Sequence, residues 1–318
     1  MIGADPCPVL SVVIVSWNTA AITERCVRAL QTDLGDTSAE IIVVDNGSTD
    51  GSAEVLRTSF PDLKLILNAS NEGFTRATNA GIAVAKGRYI LQLNSDAFVK
   101  PGCIARLIAE LDERSRAAAV APRLVYGDGR WQRWTAGNAP SLRTAANHYL
   151  FLERLSPGRR AFAGLYLGAD VRDARRVDWV SSACMLMRAD ALRAVGGLDE
   201  RLFLYMDDVD LCQRLRDAGW EIWYCPEAEA THLMGQVVRG QSSAAPAAAL
   251  RSFDRYFAER HGRGAVLALR AIQIVGFGCR AASYRLGALV LRRPSLAQGA
   301  RSHFASLVLI LRGGLNIR

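Results

Sequence analysis

Lysine is scarce in this chain of 318 residues, which contains only Lys64, Lys86 and Lys100. The phosphate-binding pattern G-x-x-x-x-G-K-[ST] is absent, and G-x-G-x-x-G does not follow any predicted strand. These absences argue against a P-loop enzyme and a dinucleotide oxidoreductase. The pattern G-x-S-x-G is also absent, which argues against a serine hydrolase of the α/β type.

Cysteine chemistry is equally limited, because the 7 cysteines are odd in number and form no Cys-x-x-Cys pattern. We therefore expect neither a disulfide framework nor a zinc site. The same pattern favours a reducing compartment such as the cytoplasm. Residues Met1 to Leu10 lack the basic start of a secretory signal, which favours the same location. The longest uncharged apolar run of the C-terminal part, Ala271 to Cys279, is shorter than the roughly 20 residues that cross a bilayer.

The net charge of +8 is concentrated near the C-terminus. From Arg251 onward, twelve arginines face only two acids, Asp254 and Glu259. Such an excess suits an anionic surface, for example lipid headgroups, a phosphorylated substrate or nucleic acid. Nucleic acid fits poorly, because the arginines lack interleaved exposed aromatics and any known module pattern.

The spacing of four of these arginines predicts how the C-terminal region contacts an anionic surface. At about 100° per residue they fall within roughly 140° of one another on a helix. This favours a helix lying in the membrane surface, with residues 251–318 associated peripherally with the inner face of the cytoplasmic membrane. A helical subdomain packed on the rest of the chain and a homodimer contact are the alternatives. The four are Arg270, Arg280, Arg285 and Arg292.

The first hundred residues alternate apolar runs with segments of helical periodicity. Continuous apolar strands between helices predict an α/β fold, with a mostly parallel central sheet covered by helices on both faces. Residues 126–176 are weakly periodic, and the chain beyond Ser242 is mainly helical in pattern. The predicted strands are Val9 to Ser16, Glu40 to Asp45, Leu63 to Leu67, Arg88 to Leu93, Val177 to Met187 and Glu221 to Cys225.

Polar residues follow each of the first four strands. Because parallel sheets place ligands at the carboxyl ends of their strands, we expect these loops to gather around a binding site. A strand-end aspartate such as Asp45 is able to accept the N3–H of a uracil or thymine ring. The four strand ends are Ser16-Trp17-Asn18, Asp45-Asn46-Gly47-Ser48, Asn68 and Asn94-Ser95-Asp96.

Three features carry candidate chemistry. Asp96 suits a hard cation that bridges a diphosphate, although Asn-Ser-Asp also forms ordinary turns. Asp207, Asp208 and Asp210 crowd three carboxylates together, so one is a candidate general base, with helix capping as the alternative. His232 is a candidate contact for a metal or a diphosphate, or else an ordinary loop histidine.

Five segments of the chain occur in the order seen in family 2 glycosyltransferases. Over about Val9 to Gly235 the chain resembles bacterial rhamnosyltransferase-type members of that family. The resemblance implies a GT-A fold and an inverting transfer, dependent on Mg²⁺ or Mn²⁺, from a nucleotide-diphosphate sugar. It makes dTDP-rhamnose the expected donor and a glycan or lipid-linked hydroxyl the expected acceptor, in cell-surface polysaccharide synthesis. The segments are SVVIVSWN, EIIVVDNGSTDGS, NEGFTRATNAGI, RYILQLNSDA and VDWVSSACMLMRADALRAVGGLDERLFLYMDDVDLCQRL.

The resemblance also implies which residues bind the donor. Asp45 matches the aspartate that binds the base, in a pocket that also uses Ser16 and Asn18. Three further residues match the loop that lines the nucleotide. They are Asn71, Gly73 and Asn79.

The remaining matches concern the metal and the base. Asp96 matches the last acid of the metal motif, with Asn94 where the first acid usually stands and Ser95 between them. Asp208 matches the catalytic aspartate of the Glu-Asp motif, in which Asp207 replaces the usual glutamate. Two more matches complete the set. They are His232, as the histidine that helps hold the metal or diphosphate, and Ser182, where glycine is frequent.

We therefore expect a GT-A catalytic domain over 1–242 and a basic helical region over 243–318. Within the catalytic domain, residues 1–125 would form the nucleotide-binding half and 126–242 the acceptor half. Three alternatives stay open: a transferase for another hexose, such as that of UDP-glucose or UDP-galactose, a nucleotidyltransferase on a related fold, and a non-catalytic nucleotide-sugar-binding protein. The paired acids at 207 and 208 disfavour the nucleotidyltransferase.

Overall fold

The computed structural model describes residues 7–156, 159–202, 205–234 and 245–312, with the backbone alone at 245–248. The chain divides into two compact units, one formed by 1–137 and 166–242 and the other by 138–165 and 243–318. We call them the sheet unit and the helical unit. The predicted boundary at 242/243, and Arg318 of the basic tail, lie outside the described residues. Residues 138–165 fall in the helical unit, whereas the sequence predicts them in the acceptor half.

The sheet unit is built on one mixed sheet, whose strands run in the order β3-β2-β1-β4-β10-β6-β11-β5, with β8 also paired to β11. The first four strands are parallel, as are β6 and β11, whereas β5, β8 and β10 run antiparallel to their neighbours. The described strands are β1 (Leu10–Ser16), β2 (Ala39–Asp45), β3 (Lys64–Leu67), β4 (Tyr89–Asn94), β5 (Ala97–Val99), β6 (Ala117–Val125), β7 (Ala136–Gly137), β8 (Arg175–Val177), β9 (Trp179–Val180), β10 (Cys184–Arg188) and β11 (Glu221–His232).

Helices cover this sheet because their apolar residues recur at helical spacing. In the helix that precedes β6, Ile104, Leu107 and Leu111 are all buried at intervals of three and four residues. The predicted α/β class with a mostly parallel central sheet is confirmed. The helices of this unit are α1 (Ala20–Leu34), α2 (Ser52–Ser59), α3 (Phe74–Val84), α4 (Cys103–Glu113), α6 (Ala189–Ala194) and α7 (Asp207–Asp217).

Register brings the polar strand ends to one edge of the sheet. Ser16 at the end of β1 lies opposite Asp45 at the end of β2, and Val15 lies opposite Asn94 at the end of β4. The backbone N–H of Asn68 donates to the carbonyl of Asp45 at 2.9 Å, which adds the loop after β3. The gathering of four loops expected from the sequence is therefore present.

Two strand predictions are wrong in extent. The run Val177 to Met187 is split among β8, β9 and β10, which pair with different neighbours. The last strand continues to His232 through an irregular register at Cys225 to Glu229, so His232 is a strand residue and not a loop histidine.

The helical unit contains α5 (Leu142–Tyr149), α8 (Ala245–His261), α9 (Arg263–Leu291) and α10 (Pro294–Arg312). A Cβ on Gly276 would lie 2.7 Å from the carbonyl oxygen of Tyr149, so this glycine permits close packing of α9 on α5. Among the described residues α9 alone is long and apolar enough to cross a membrane, by length and composition only. Its most apolar window has a mean hydropathy of 1.4 and is 28% buried inside the protein.

Two of the four arginines predicted to face a membrane instead point into the helical unit. Arg280 is buried and donates to the backbone carbonyls of Tyr149 at 2.9 Å and His148 at 2.7 Å. Arg270 forms an ion pair with Asp254 of α8. Of the four arginines predicted to face the membrane, only Arg285 and Arg292 are exposed. The prediction fails for the other two because helical periodicity alone does not reveal which face packs inward.

The cysteines match the expectation of an unbridged chain. All seven are free, and five of them are buried. The two exposed thiols are Cys7 and Cys279.

Candidate active site

The aspartate that ends β2 lies at the centre of the first cluster. Asp45 is buried, and its Oδ2 accepts a hydrogen bond of 3.0 Å from the backbone N–H of Ser48. Its Oδ1 is also buried but has no hydrogen-bond partner within the described part of the chain. A buried carboxylate oxygen normally has a donor nearby, so this atom is available to a ring N–H of a ligand.

Asn46, the residue after Asp45, ties the neighbouring loops together. Its Oδ1 accepts from Asn68 Nδ2 at 2.9 Å, and its Nδ2 donates to Asn71 Oδ1 at 3.0 Å and to the carbonyl of Gly73 at 3.3 Å. The sequence predicts Asn71 and Gly73 as site residues but does not single out Asn46. Its role depends on partners 22 to 27 residues away, which one sequence does not reveal.

The two residues predicted in the loop after β1 both make contacts within the protein. Ser16 is buried, and its hydroxyl lies 3.0 Å from that of Thr23. Asn18 accepts a hydrogen bond of 2.8 Å from the backbone N–H of Thr49, and its own N–H donates to Ser48 Oγ at 2.8 Å. Asn18 therefore joins the loops after β1 and β2, whereas Ser16 lies beneath them.

The side chain of Asn79 is engaged elsewhere. Its Nδ2 donates to the carbonyl of Leu198 at 2.9 Å and to Glu200 Oε1 at 3.1 Å, and its Oδ1 accepts from the Leu198 N–H at 2.9 Å. The amide thus holds residues 198–200 against α3, a contact that the sequence alone does not predict. Its implied role in lining the nucleotide stays a prediction.

A second cluster brings Asp96 and His232 together from distant parts of the chain. The antiparallel pairing of β5 and β11 places His232 opposite Ala97, next to Asp96. Asp96 is buried, and its Oδ1 lies 3.3 Å from His232 Nε2. Asn94 Nδ2 lies 3.5 Å from the same ring nitrogen. Asn94 Oδ1 and Ser95 Oγ are buried without a hydrogen-bond partner within the described residues.

These atoms fit a divalent cation that protein and substrate hold jointly. Over the ranges that the structure describes, no three histidine, cysteine, aspartate or glutamate side chains gather closely enough to hold a metal. Mg²⁺ is commonly bound by one or two carboxylates together with substrate phosphates, so a full protein cage is not required. The carboxylate and imidazole at 3.3 Å suit one shared ion.

A third cluster lies at the start of α7. Asp207 is buried, and Asp208 is half-buried. Asp208 Oδ1 accepts from the Val209 N–H at 2.8 Å, and its Oδ2 faces the Ser182 N–H at 3.4 Å. The hydroxyl of Ser182 hydrogen-bonds to Asp207, so this residue, where glycine is frequent, contacts both acids.

Burial changes the acidity of the pair. It raises the pKa of Asp208 to about 6, against the opposing effect of the backbone donors. It raises the pKa of Asp207 to about 7, and the charge of Asp208 adds to that effect. Asp210 differs, because it pairs with Arg214 at 2.7 Å. Asp208 therefore holds a proton more strongly than an ordinary aspartate, as a general base acting near neutral pH requires.

One short segment connects the second and third clusters. The backbone N–H of Asn94 donates to the carbonyl of Ala183 at 3.0 Å. The next residue back, Ser182, faces Asp208 Oδ2. The loop that carries Asp96 and the carboxylate of Asp208 are thus attached to adjacent residues, at the sheet edge that also bears Asp45.

A mixed sheet with a strand-end aspartate, a carboxylate–imidazole pair and two adjacent acids along one edge is the arrangement expected of a glycosyltransferase of the GT-A type. The sequence pattern of glycosyl transferase family 2 matches residues 11–196. The chain is also similar to the N-acetylglucosaminyl-diphospho-decaprenol L-rhamnosyltransferase of Mycobacterium tuberculosis. The two are 30% identical over 267 residues, an alignment that covers 80% of this chain and 85% of that protein. The chain belongs to glycosyl transferase family 2 and is a glycosyltransferase.

Two solved structures share the fold. The mannosyltransferase PcManGT from Pyrobaculum calidifontis, in complex with GDP-Man and Mn²⁺, matches 96% of this chain and 86% of its own, with a TM-score of 0.58 and 16% identity. GalNAc-T7, with UDP, GalNAc and Mn²⁺, matches 81% of this chain and 51% of its own, with a TM-score of 0.53 and 16% identity. At these identities the likeness concerns the fold alone.

Proposed function

We propose that this glycosyltransferase moves one rhamnose, with inversion, from dTDP-rhamnose to a hydroxyl of a lipid-linked glycan in cell-surface polysaccharide synthesis. The observation that carries the proposal is the attachment of the Asp96 loop and the Asp208 carboxylate to Ala183 and Ser182. The rhamnosyl donor and the lipid-linked acceptor are supported by the name of the Mycobacterium tuberculosis relative. A donor carrying another hexose, such as UDP-glucose, is the alternative.

In this proposal the first cluster binds the nucleotide. Asp45 Oδ1, buried and without a partner in the described residues, accepts the N3–H of the thymine ring. Asn46 holds Asn71 and Gly73 in place beside it. Recognition of the base therefore depends on a carboxylate whose other oxygen is already held by the backbone N–H of Ser48.

The second cluster would hold a divalent cation beside the diphosphate. Asp96 and His232 would supply the protein ligands, and both structural neighbours were solved with Mn²⁺. Such an ion, Mg²⁺ or Mn²⁺, would neutralise negative charge on the departing diphosphate. Ser95 Oγ and Asn94 Oδ1 are buried and lack partners in the described residues. The hydroxyl of Ser95 can donate to a phosphate oxygen, whereas the amide oxygen of Asn94 can accept a hydrogen bond from water.

The third cluster activates the acceptor. Asp208 takes the proton of the acceptor hydroxyl, while the backbone N–H groups of Ser182 and Val209 fix the orientation of its carboxylate. Asp207, whose pKa burial raises to about 7, keeps its proton below that pH and so limits the negative charge of the pair. General-base catalysis of this kind typically contributes about 10²–10⁴-fold to the rate.

The proposal is tested with a panel of donors and one acceptor. Thermal shifts with dTDP-rhamnose, UDP-glucose and UDP-galactose, each with Mn²⁺ or Mg²⁺, identify base and sugar together. Transfer to polyprenyl-diphosphate N-acetylglucosamine is then measured, and the anomeric configuration of the product is read by NMR. We expect dTDP-rhamnose to stabilise the protein most and the product to be inverted. Donor binding without transfer or hydrolysis would support the non-catalytic alternative instead.

We further propose that the sheet unit is the catalytic domain and that the helical unit associates with the inner face of the cytoplasmic membrane. The end of α9 carries four apolar side chains that are each more than half exposed, and exposed arginines lie beside them. Since the chain has no acid after Glu259, this surface matches an anionic bilayer. The apolar tip consists of Leu286, Leu289, Val290 and Leu291, with Arg285, Arg292 and Arg293 as its basic rim.

Vesicle co-sedimentation tests this membrane surface. We expect the full chain to sediment with phosphatidylglycerol vesicles, and the double variant Leu289→Ser/Val290→Ser to remain in solution. Val84→Ser, at an exposed valine of the sheet unit, is the matched control and should sediment like the wild type. If the double variant still sediments but changes from dimer to monomer in ultracentrifugation, the tip is a homodimer contact and the membrane proposal is wrong.

A further inference from the structure

Gln132 lies behind His232, and both ends of its side-chain amide are engaged. Only 2% of Gln132 is exposed. Its Nε2 donates to the backbone carbonyl of His232 at 2.5 Å and lies 3.4 Å from the carbonyl of Val125. Its Oε1 lies 3.1 Å from His232 Nδ1. The glutamine therefore contacts the histidine at the backbone and at the ring.

These contacts fix the orientation of the amide. Two backbone carbonyl oxygens surround one end, and a carbonyl accepts hydrogen bonds but cannot donate them. The amide nitrogen must therefore occupy that end, which leaves Oε1 facing the ring. Because Oε1 is only an acceptor, the hydrogen bond to His232 requires a proton on Nδ1.

The tautomer follows from this orientation. A neutral imidazole has one N–H, and when Nδ1 carries it, Nε2 presents a lone pair. That lone pair lies 3.3 Å from Asp96 Oδ1. The lone pairs of His232 Nε2 and Asp96 Oδ1 repel each other at this distance, and a cation bound between them would make the arrangement favourable. A metal-binding histidine usually has its other ring nitrogen held by a hydrogen-bond acceptor, which is the place of Gln132 Oε1 here.

The backbone around Gln132 keeps this arrangement in place. Its N–H donates to the carbonyl of Leu124 at 2.9 Å, and its carbonyl accepts from Thr135 Oγ1 at 3.1 Å. A side chain fixed at both its backbone and its amide loses little further entropy when it holds the histidine.

We propose that Gln132 is the positioning residue of the cation site: it sets His232 in the Nδ1–H tautomer so that Nε2 is directed, as a ligand, at the ion shared with Asp96. This inference rests on the metal site of the proposed function. It adds a residue outside the segments that carry the family resemblance, and one that sequence reasoning did not find.

The first experiment reads the tautomer in the metal-free protein. Long-range ¹H–¹⁵N spectra of ¹⁵N-histidine-labelled protein are recorded well above the ordinary histidine pKa, and His232→Ala assigns the signal. We expect the Nδ1–H tautomer in the wild type and the Nε2–H tautomer in Gln132→Leu. Gln92→Leu is the matched control, since Gln92 is equally buried on β4 but contacts no part of His232 within the described hydrogen bonds. An Nε2–H tautomer in the wild type would overturn the inference.

The second experiment measures the affinity for Mn²⁺ in the presence of dTDP, by the EPR signal of the free ion. We expect Gln132→Leu to weaken binding about 10–100-fold, as for other partners of metal-bound histidines, and Gln92→Leu to leave it unchanged. In a His232→Ala background, Gln132→Leu should have no further effect. Unchanged Mn²⁺ affinity in a folded Gln132→Leu, or an additive loss in that background, would contradict the positioning role.

The two experiments separate this inference from the proposed function. A wild type without Mn²⁺ affinity, or one unaffected by His232→Ala, overturns the metal site itself. Because the tautomer is read without metal, it reports on the Gln132–His232 contact in either case. Gln132→Glu provides a second variant, since its carboxylate still accepts from Nδ1 but cannot donate to the two carbonyls. We expect it to retain the Nδ1–H tautomer.

Discussion

The backbone N–H of Ser182 lies 3.4 Å from Oδ2 of Asp208 and so joins the segment before β10 to the first turn of α7. The adjacent Ala183 accepts the N–H of Asn94, at the start of the loop that carries Asp96. In the proposed mechanism the base and the diphosphate-binding loop are thus attached to neighbouring residues of one segment, which suits direct displacement of the diphosphate by the acceptor hydroxyl.

Asp208→Asn should greatly reduce turnover and leave donor binding intact. The amide keeps the size of the carboxylate and its contact with the Val209 N–H but cannot accept a proton. We expect kcat to fall about 10²–10⁴-fold and the donor Kd, measured by calorimetry, to change less than about threefold. Asp210→Asn, which removes the pair with Arg214 on the same helix, is the control and should retain most of its activity. A donor affinity that falls as far as kcat would count against a role as base.

The rate should fall in acid with a midpoint near the raised pKa of Asp208, about 6. Protonated Asp208 cannot act as a base, so kcat/KM rises with pH up to that value and then levels off. Asp207→Asn should leave this midpoint in place, because burial raises the pKa of Asp208 and Asp207 is already mostly protonated at that pH. The measurement is a pH profile of kcat/KM at saturating metal, and a wild-type midpoint far from about 6 would show that another group limits the rate.

Asp207→Asn should stabilise the protein at neutral pH. Burial and the charge of Asp208 raise the folded-state pKa of Asp207 from 3.8 to about 7, so the folded state binds more protons than the unfolded state between those values. The wild type therefore loses stability as pH rises through this window, and the asparagine variant avoids that loss. We expect a gain of about 1–2 kcal/mol in the free energy of unfolding at about pH 8 and little difference near pH 4, from urea titrations. An equal gain at both pH values would be inconsistent with an electrostatic origin.

Asp45→Asn should selectively weaken the binding of pyrimidine nucleotides. The amide can still accept from the Ser48 N–H through one oxygen, but it would then turn an N–H toward the N3–H of the base. We expect the Kd of dTDP to rise about 10–100-fold, since an unpaired buried donor costs about 1–3 kcal/mol. N3-methylated dTDP should bind the wild type equally poorly and should lose nothing further in the variant. A further loss with the methylated nucleotide would place the base elsewhere.

The first four strands could be predicted closely, because they are short apolar runs rich in β-branched residues, as in β1 and β2. By contrast, β6 was missed, since its sequence AAAVAPRLV is rich in alanine and contains Pro122. Sequence spacing could not place Gln132 behind His232, because the contact joins residues 100 positions apart. Nor could periodicity show that Arg280 faces Tyr149, since a buried arginine and a membrane-facing one follow the same helical repeat.

The distribution of free cysteines has a practical consequence. Burial raises the pKa of Cys26, Cys212 and Cys225, which suppresses the thiolate that alkylating reagents attack. Native labelling is thereby directed to the exposed thiols at Cys7 and Cys279. With Cys7 replaced by serine, a fluorophore or spin label would occupy one natural position on α9, the helix that ends in the apolar tip, and would report its approach to a bilayer without an engineered cysteine.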